Sequence, residues 1–347
     1  MPASSVWGNN LRISIFGESH GPAIGVVIDG LPAGEPIDEG ELLAQMARRA
    51  PGRDKSATPR READTPEIVS GMLDGRTTGA PLCALIRNTN TRSGDYANLQ
   101  QVPRPGHSDY TAWVHYRGWN DVRGGGHFSG RLTACLCMAG AICRQILARR
   151  GILIGSHVAA VGPERDASLP GPEIPDSLLR RLSAAYFPVI EAEAEDRMRD
   201  VIESARMDCD SLGGVVECAV TGVEFGSGFG AALLRGSEDN DPFRITGNGE
   251  IRTGRNCAGG ILGGMTTGMP LVFRLGIKPT SSIAKPQRSV NLETFREEEL
   301  RVHGRHDPCV VPRAAPVAES CAAVAALELL LTNGALVPAA RRGEEHA

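Results

Sequence analysis

The length, composition and charge of the chain exclude several classes of protein. Its 347 residues are enough for two domains or for one large α/β or α+β domain. A formal net charge of -4 at pH 7 argues against a general nucleic-acid or membrane-surface binder, and an aromatic content of 4% leaves few rings on which RNA bases could stack. The nine cysteines form no Cys-x-x-Cys pair, and the N-terminal MPASSVWGNN lacks the features of a signal peptide. We therefore expect reduced thiols, no metal site, no membrane-spanning segment and a cytoplasmic protein.

The first predicted element is a β-hairpin. Residues Leu11 to Ile15 alternate between apolar and polar side chains, and Ile24 to Ile28 form a second apolar run. The stretch GESHG, residues 17–21, joins the two runs. The pattern therefore places His20 on the loop of the hairpin.

Four later segments have the pattern of helices. Apolar residues at helical spacing predict helices over 39–49, 132–150 and 188–207, and an alanine-rich helix beginning near Val317. Between the second and third of these, GPERDASLPGPEIPD is a proline-rich connection that could mark a domain boundary. The tail, residues 334–347, is small, polar and charged, and we expect it to be flexible.

An internal repeat indicates how these elements are arranged. SGMLDGRTTGAPLCALI at 70–86 and GGILGGMTTGMPLVFRL at 259–275 share glycine, leucine, Thr-Thr-Gly and Pro-Leu at one constant offset. Two copies of a glycine hairpin followed by a strand predict two similarly built halves. We expect them to form one compact unit made of two related β/α layers.

A basic loop is the first of five segments that could carry chemistry. RRAPGRDKSATPRRE, residues 48–62, includes Arg49 and Lys55 and is interrupted by proline and glycine. Guanidinium groups match the geometry of phosphate and carboxylate, so this loop could close over an anion. The alternative is a solvated charged loop.

Two further segments place histidines beside glycine and proline. In VPRPGHSDY, residues 102–110, prolines stiffen the approach to His107 and Arg104 is close by, so this imidazole could be held as a general acid or could simply be exposed. In DVRGGGHFSGRLT, residues 121–133, three glycines would let a planar or phosphorylated ligand approach the main chain where a helix begins. His127 in this segment could contact such a ligand or fill space.

The last two segments combine anion binding with a candidate base. KPTSS, residues 278–282, supplies an ammonium group, three hydroxyls and several backbone N–H groups, which suit a phosphate although the segment is not a P-loop. VHGRHDPCVVPRAAP, residues 302–316, sets Asp307 among arginines, where its carboxylate could act as a base or position one. The alternative is an ion-paired turn before the last helix.

The ordered set of motifs resembles one known family. GESHG, RRAPG, PRPGHSDY, RGGGHFSGRLTA, CAGGILGGM, KPTSS and GRHDPCVVPRAAP, in this order, are similar to chorismate synthases over nearly the whole chain. The resemblance implies an α+β fold, a β-α-β sandwich in a single domain, and a homotetramer. It also implies a lyase of the shikimate pathway that converts 5-enolpyruvylshikimate 3-phosphate to chorismate and phosphate by a 1,4-anti elimination. That reaction needs reduced FMN without net redox change, and we expect a separate reductant, with NADPH acting only indirectly.

The resemblance also implies roles for particular residues. His20 would assist the departure of phosphate, His107 would act toward the reduced flavin, and Asp307 would work with flavin N5 in removing the C6 proton. Around the substrate or an NADP phosphate it places Arg49, Lys55, Arg104 and Arg131. To the flavin site it assigns His127, Phe128, Ser129, Gly263, Lys278, Pro279, Thr280, Ser281, Ser282 and Arg305.

Two departures from the family pattern leave a second interpretation open. His127 stands where many members have arginine. After DSLGGVVECAVTGV, near Val223 and Glu224, roughly thirty residues of the family pattern, about one β/α unit, are absent. An active enzyme is the primary interpretation, and the alternative is a non-catalytic relative that binds flavin or anions and was inactivated by the loss of this unit.

Overall fold

The computed structural model describes residues 5–52, 62–89, 98–171, 173–220, 235, 240–262, 265–303 and 306–335. The strands are β1 Val6–Trp7, β2 Arg12–Gly17, β3 Ala23–Asp29, β4 Glu67–Ser70, β5 Met72–Leu73, β6 Arg76–Thr77, β7 Leu82–Arg87, β8 Ile154–Val161, β9 Glu164–Arg165, β10 Gly214–Val220, β11 Phe243–Ile245, β12 Ile251–Thr253, β13 Ile261–Leu262, β14 Met265–Thr266, β15 Leu271–Ile277, β16 Gln287–Asn291 and β17 Arg296–Leu300. The α-helices are α1 Glu39–Arg49, α2 Asp109–Tyr116, α3 Thr133–Ala148, α4 Asp176–Ala184, α5 Ala192–Met207 and α6 Val311–Thr332. Two short 3₁₀ helices, Arg123–Phe128 and Gly130–Leu132, precede α3.

Two antiparallel sheets enclose a layer of helices. The first sheet has the strand order β1-β2-β3-β7-β4 and the second has the order β15-β10-β8-β9. Helix α3 packs on β2 and β3, α6 packs on β8, β10 and β15, and the two helices pack against each other. Each sheet thereby covers its apolar face with a helix, so the predicted α+β fold of the β-α-β sandwich type is confirmed.

The sequence repeat is also a structural repeat. Hairpin β5–β6 leads into β7 of the first sheet, and hairpin β13–β14 leads into β15 of the second. Equivalent glycines at the two hairpins, Gly71 and Gly260, have φ of 83° and 78°, a left-handed conformation that favours glycine. The N–H of Thr78 donates to the Gly71 carbonyl at 3.0 Å, and Thr267 donates to Gly260 at 2.7 Å.

Local signals place α1 where the sequence predicts it. The Asp38 side chain accepts a hydrogen bond from the Glu41 N–H at 2.8 Å and so caps the first turn. At the other end Ala50 is extended, as a residue before proline prefers, and the helix stops at Arg49.

Two other helices start at residues different from those predicted. Helix α5 begins at Ala192 rather than at Pro188. The Pro188 carbonyl accepts from Val158 of β8, and the N–H groups of Ile190 and Glu191 donate to the Asp166 carboxylate, so this segment is held outside the helix. Helix α6 begins at Val311, six residues before Val317. Its first turn accepts a proline because the N–H that proline lacks has no partner in a first turn.

The central helices cross at very short range. A Cβ added at Gly140 of α3 would lie 2.2 Å from the Ser320 Cβ and 2.3 Å from the Ser320 Cα of α6.

By length and composition two helical stretches could cross a membrane, Gly130–Ala148 and Val311–Thr332, with mean hydropathies of 1.3 and 1.6. Their most apolar windows are 78% and 50% buried inside the protein, as is usual for core helices, and such helices are weak grounds for a membrane span.

Buried charges connect the layers. Glu319 of α6 is fully buried and pairs with Arg48 of α1 at 2.6 Å and Arg144 of α3 at 2.8 Å. Arg48, although part of the basic segment at 48–62, is therefore committed to the core. On the opposite face of the second sheet, His157 donates toward Asp166 at 2.8 Å and Glu217 at 2.9 Å.

Candidate active site

His20 lies on the loop between β2 and β3, as predicted, and is buried against the three-glycine segment. A Cβ added at Gly124 would lie 2.2 Å from both Cε1 and Nδ1 of His20. Gly124 has φ of 61°, so it is suited to glycine on backbone grounds as well. The N–H of Ser19 donates to the Gly126 carbonyl at 3.1 Å, which ties the GESHG loop to the glycines.

His107 lies on the other side of the same glycines. Its Nδ1 is 2.6 Å from Asp109 Oδ1 and 3.2 Å from Arg104 Nη2. A Cβ added at Gly125 would lie 3.2 Å from His107 Cε1 and Nε2. The sequence predicts that the glycines admit a ligand to the main chain, and in the structure they also make room for two imidazoles. Three motifs that are separate in sequence therefore meet at one place.

Arg104 and Asp109 form a buried ion pair beneath His107. Arg104 donates from Nε and from its backbone N–H to Asp109 Oδ2, at 2.7 and 3.0 Å, and from Nη2 to Oδ1 at 2.8 Å. Burial opposes ionisation of Asp109, but the hydrogen bonds from Arg104 and His107 outweigh it and hold the pKa of this carboxyl well below its usual value. The carboxylate is therefore ionised throughout the physiological range.

The KPTSS segment packs against the loop that carries His107. Ser282 Oγ accepts from Arg104 Nη1 at 2.9 Å, and Ser281 Oγ donates to the Gly106 carbonyl at 2.9 Å. Lys278 Nζ donates to Ser281 Oγ at 2.7 Å and to the Pro279 carbonyl at 3.0 Å, and it has no carboxylate partner within the described part of the chain. Because no counter-ion of this ammonium group lies among the described residues, Lys278 and the hydroxyls of its segment suit an anionic ligand.

Residues 127–129, which follow the three glycines, mainly contact other residues of the protein. His127 Nδ1 is 2.9 Å from the Gly17 carbonyl and Nε2 is 2.9 Å from Ser5 Oγ. Ser129 Oγ accepts from the Arg131 N–H at 3.3 Å and caps a short helix, while Phe128 is 41% exposed. Both nitrogens of the His127 ring thus have protein partners.

Arg49 and Arg131 share one buried carboxylate. Arg49 Nη1 donates to Asp64 at 2.7 Å, and Arg131 donates to the other Asp64 oxygen and pairs with Glu62 at 3.3 Å. Burial by itself would raise the pKa of Asp64, but the charges of the two arginines lower it. Arg131 Nε also donates to Asn88 Oδ1 at 3.2 Å.

Asn88 links this arginine pair to the His20 loop. Its side-chain amide donates to the carbonyls of Glu18 and Gly21, at 3.0 and 2.9 Å. The amide therefore joins Arg131 to the residues on either side of His20. Asn88 follows strand β7 directly, and no local motif marks it as a site residue.

Asp307 is held by an arginine from the first turn of α6. Arg313 Nη1 lies 2.8 Å from both carboxylate oxygens of Asp307, and Arg313 Nε donates to the Arg49 carbonyl at 2.9 Å. Asp307 is therefore connected through Arg313 and Arg49 to the same network. The ion-paired turn considered as the alternative for this segment is present, and it lies next to the other predicted site residues.

Three predicted site residues, Lys55, Gly263 and Arg305, lie outside the described residues. The sequence predicts no site role for Asp64, Asn88, Asp109 or Arg313. Asp109 sits two residues after His107, which is a usable signal for a carboxylate that orients an imidazole, whereas Asp64 and Arg313 are recognisable only through partners that are distant in sequence.

A separate cavity of about 420 Å³ lies between α1, α3 and α4 and contains none of the predicted site residues.

Comparison with known proteins points to one family. The family model described as chorismate synthase matches residues 11–223 and 218–331. Chorismate synthase of Korarchaeum cryptofilum is 44% identical over 347 residues, covering 91% of this chain and 94% of that protein. Chorismate synthase of Aeropyrum pernix is 42% identical over 360 residues, covering 95% of this chain and 94% of that protein. A solved structure, described as the crystal structure of chorismate synthase, is similar with a TM-score of 0.70 at 26% identity and covers 94% of this chain and 93% of its own.

Proposed function

The chain belongs to the chorismate synthase family, and we propose that it eliminates phosphate from 5-enolpyruvylshikimate 3-phosphate to give chorismate. It is an enzyme of the lyase class in the shikimate pathway, and it requires reduced FMN although the 1,4-anti elimination has no net redox change. The observation that carries the proposal is the meeting of His20 and His107 on either side of Gly124 and Gly125. No observation favours the alternative, a non-catalytic relative, over an active enzyme.

The two histidines and Asp307 are suited to move the protons of this elimination. We propose that His20 gives a proton to the departing phosphate and that His107 acts on the cofactor side of the site. Asp307, held by both of its oxygens against Arg313, is proposed to take part in removal of the C6 proton. Proton transfer by positioned groups of this kind contributes about 10²–10⁴-fold to a rate.

Unpartnered polar atoms support a bound cofactor and substrate. Ser19 Oγ, Arg131 Nη2 and Thr280 Oγ1 are buried and have no hydrogen-bond partner among the described residues. Because buried polar groups are ordinarily hydrogen-bonded, oxygens of FMN or substrate would satisfy them, and the residues present fit the cofactor. Reduced FMN supplies electron density as the C3–O bond breaks, which no side chain can do.

We propose that Lys278 and the hydroxyls of Thr280, Ser281 and Ser282 hold an anionic part of the flavin. The 127–129 segment would contact the flavin through Phe128 and the main chain, because both nitrogens of the His127 ring already have partners. Pro279, Gly263 and Arg305 stay proposed flavin contacts by motif.

The substrate carries a phosphate and two carboxylates. Neutralising this negative charge requires cations other than the arginines that are already paired with buried carboxylates. Arg49 and Arg131 are balanced by Asp64 and Glu62, and Arg104 is balanced by Asp109. We propose that these three arginines position the substrate through their hydrogen bonds. In this proposal Lys55 supplies net positive charge toward the substrate, as Lys278 does toward the flavin, and such charge would stabilise an anion in a closed site.

We propose that the chain forms a single domain from which one β/α unit of the family is deleted near residues 223–224. The two matched parts of the family model meet at 218–223, at the same position. The match to the Aeropyrum pernix protein extends over 360 residues but includes only 95% of the 347 residues here, so about 30 of its positions have no counterpart in this chain. Both observations support a β/α unit that is absent from this chain.

We also propose a homotetramer in the cytoplasm and a separate system that reduces FMN. The outer face of the first sheet supports self-association because it carries exposed apolar side chains, including Val6 and Phe16. NADPH would act only as an indirect reductant in this proposal.

The decisive experiment is anaerobic turnover of 5-enolpyruvylshikimate 3-phosphate on protein of verified mass with chemically reduced FMN. We expect equimolar chorismate and phosphate, followed by absorbance and by a phosphate assay, and no product with oxidised FMN or with His20→Ala. Folded protein that binds FMN but forms no product would overturn the proposal and favour a non-catalytic relative.

A further inference from the structure

Asp109 has no role among the predicted site residues, although its carboxylate contacts His107. It is the first residue of α2, its side chain is 4% exposed, and its Oδ1 lies 2.6 Å from His107 Nδ1. Among the described residues, Arg104 is the charged group that contacts this pair, and it donates to both Asp109 oxygens. The carboxylate is thus fixed from one side and meets the imidazole on the other.

The two neighbours of His107 Nδ1 favour one placement of its proton. A carboxylate can only accept a hydrogen bond, and a guanidinium can only donate one. Asp109 Oδ1 is at 2.6 Å, the length of a strong charge-assisted bond, whereas Arg104 Nη2 is at 3.2 Å and already donates to Oδ1 at 2.8 Å. The shorter contact therefore requires a proton on Nδ1.

A proton on Nδ1 leaves Nε2 as the reactive nitrogen. Nε2 and Cε1 form the ring edge that faces Gly125, where an added Cβ would lie 3.2 Å from both atoms. Gly125 is the neighbour of Gly124, which packs against His20. The ring edge of His107 that carries Nε2 therefore lies against the same glycine segment that packs on His20.

We propose that Asp109 is a positioning residue that keeps the proton of His107 on Nδ1, so that Nε2 is the nitrogen that exchanges a proton in the site. The inference deepens the proposed function and rests on it for its catalytic consequence. Arg104 supports the arrangement because it satisfies both Asp109 oxygens and anchors the pair to Ser282 at 2.9 Å.

Asp109→Asn tests the proposal because it changes charge and hydrogen-bonding pattern with almost no change in shape. Arg104 places two donors on Oδ2 and one on Oδ1, so the asparagine oxygen is expected at the Oδ2 position. Its NH₂ group then lies opposite His107 Nδ1, and the single hydrogen bond from Arg104 Nη2 is lost. Nδ1 must then accept, and the proton moves to Nε2. The wrong tautomer lowered kcat by about 10⁴-fold in a serine protease, so we expect a fall of about 10²–10⁴-fold here with KM changed little.

The tautomer is measured directly by solid-state ¹⁵N NMR of protein labelled in the histidine rings, with the His107 signals assigned by their loss in His107→Gln. We expect Nδ1 protonated in the wild type and Nε2 protonated in Asp109→Asn. Glu203→Gln, which also removes a carboxylate from an arginine but on the exposed face of α5, is the matched control and should alter neither kcat nor the spectrum.

The outcomes separate the inference from the proposed function. A wild-type spectrum with His107 protonated on Nε2 overturns the role of Asp109, as does an Asp109→Asn variant with wild-type kcat. Lost activity with an unchanged tautomer and a lowered melting temperature would show a merely structural role and would also overturn it. The expected tautomers in a wild type that forms no chorismate would support the placement of the proton while refuting the reaction.

Discussion

Replacing Gly124 by alanine tests whether the glycine segment sets the position of His20. The new Cβ would lie 2.2 Å from the imidazole, whereas ordinary contact starts at 3.4 Å, so the ring must move by the difference, about 1.2 Å. A displacement of about 1 Å in a reacting group costs about 100-fold in rate. This corresponds to about 2.7 kcal/mol in activation free energy.

The same substitution also strains the backbone, because Gly124 has φ of 61°. Gly75→Ala separates the two effects, since Gly75 has φ of 72° but nothing within 4 Å of an added Cβ. Each variant should lose about 1–2 kcal/mol of folding stability from the left-handed conformation. Only Gly124→Ala should also lose kcat.

The assay is steady-state anaerobic turnover with chemically reduced FMN, together with thermal melting of both variants. We expect kcat of Gly124→Ala to fall about 100-fold while Gly75→Ala keeps the wild-type value. A Gly124→Ala variant with wild-type kcat would refute the reasoning, because His20 would then tolerate displacement or would not lie against this glycine. Equal loss in both variants would show that strain, and not the contact with His20, is responsible.

Two further predictions concern stability. Burial opposes the charge of His157, but hydrogen bonds to Asp166 and Glu217 outweigh it and raise its pKa, so its stabilising effect is complete below the ordinary pKa of about 6.5 and is lost as pH rises through the raised value. The difference in melting temperature between wild type and His157→Gln should therefore be largest near pH 6, where it corresponds to as much as about 3 kcal/mol. The difference should become smaller as the pH rises further. A difference that stays constant to pH 9 would contradict this prediction. Gly140→Ala should gain about 1 kcal/mol from helix propensity but lose about 3 kcal/mol from overpacking against Ser320. The free energy of unfolding measured in urea should therefore fall by about 2 kcal/mol. An unchanged free energy of unfolding would mean that α3 and α6 are farther apart than this contact requires.

Much of the local structure follows from the sequence alone. The bounds of α1 are set by the cap at Asp38 and the proline after Ala50, and the hairpin that carries His20 is set by two apolar runs. The repeated glycine hairpins are likewise legible, because a left-handed turn at Gly71 or Gly260 needs glycine whatever surrounds it. These features depend on residues within a few positions of one another.

The start of α5 shows what the sequence leaves open. Residues 188–191 are compatible with a helix, but their backbone groups are bonded to Val158 and to Asp166. Those partners lie more than twenty residues away. The competition between local helix formation and distant hydrogen bonds is therefore decided only when the chain has folded.

The site divides in the same way. Motifs in the sequence identify His20, His107 and Asp307 as candidates, because glycine and proline beside a lone imidazole or carboxylate are local signals. Their partners, including Asp109 and Arg313, and the meeting of the two histidines at the glycines depend on tertiary structure. Hydrogen bonds and charge pairs act over a few ångströms of space, and only the packing of two sheets around the helices brings these residues within that range.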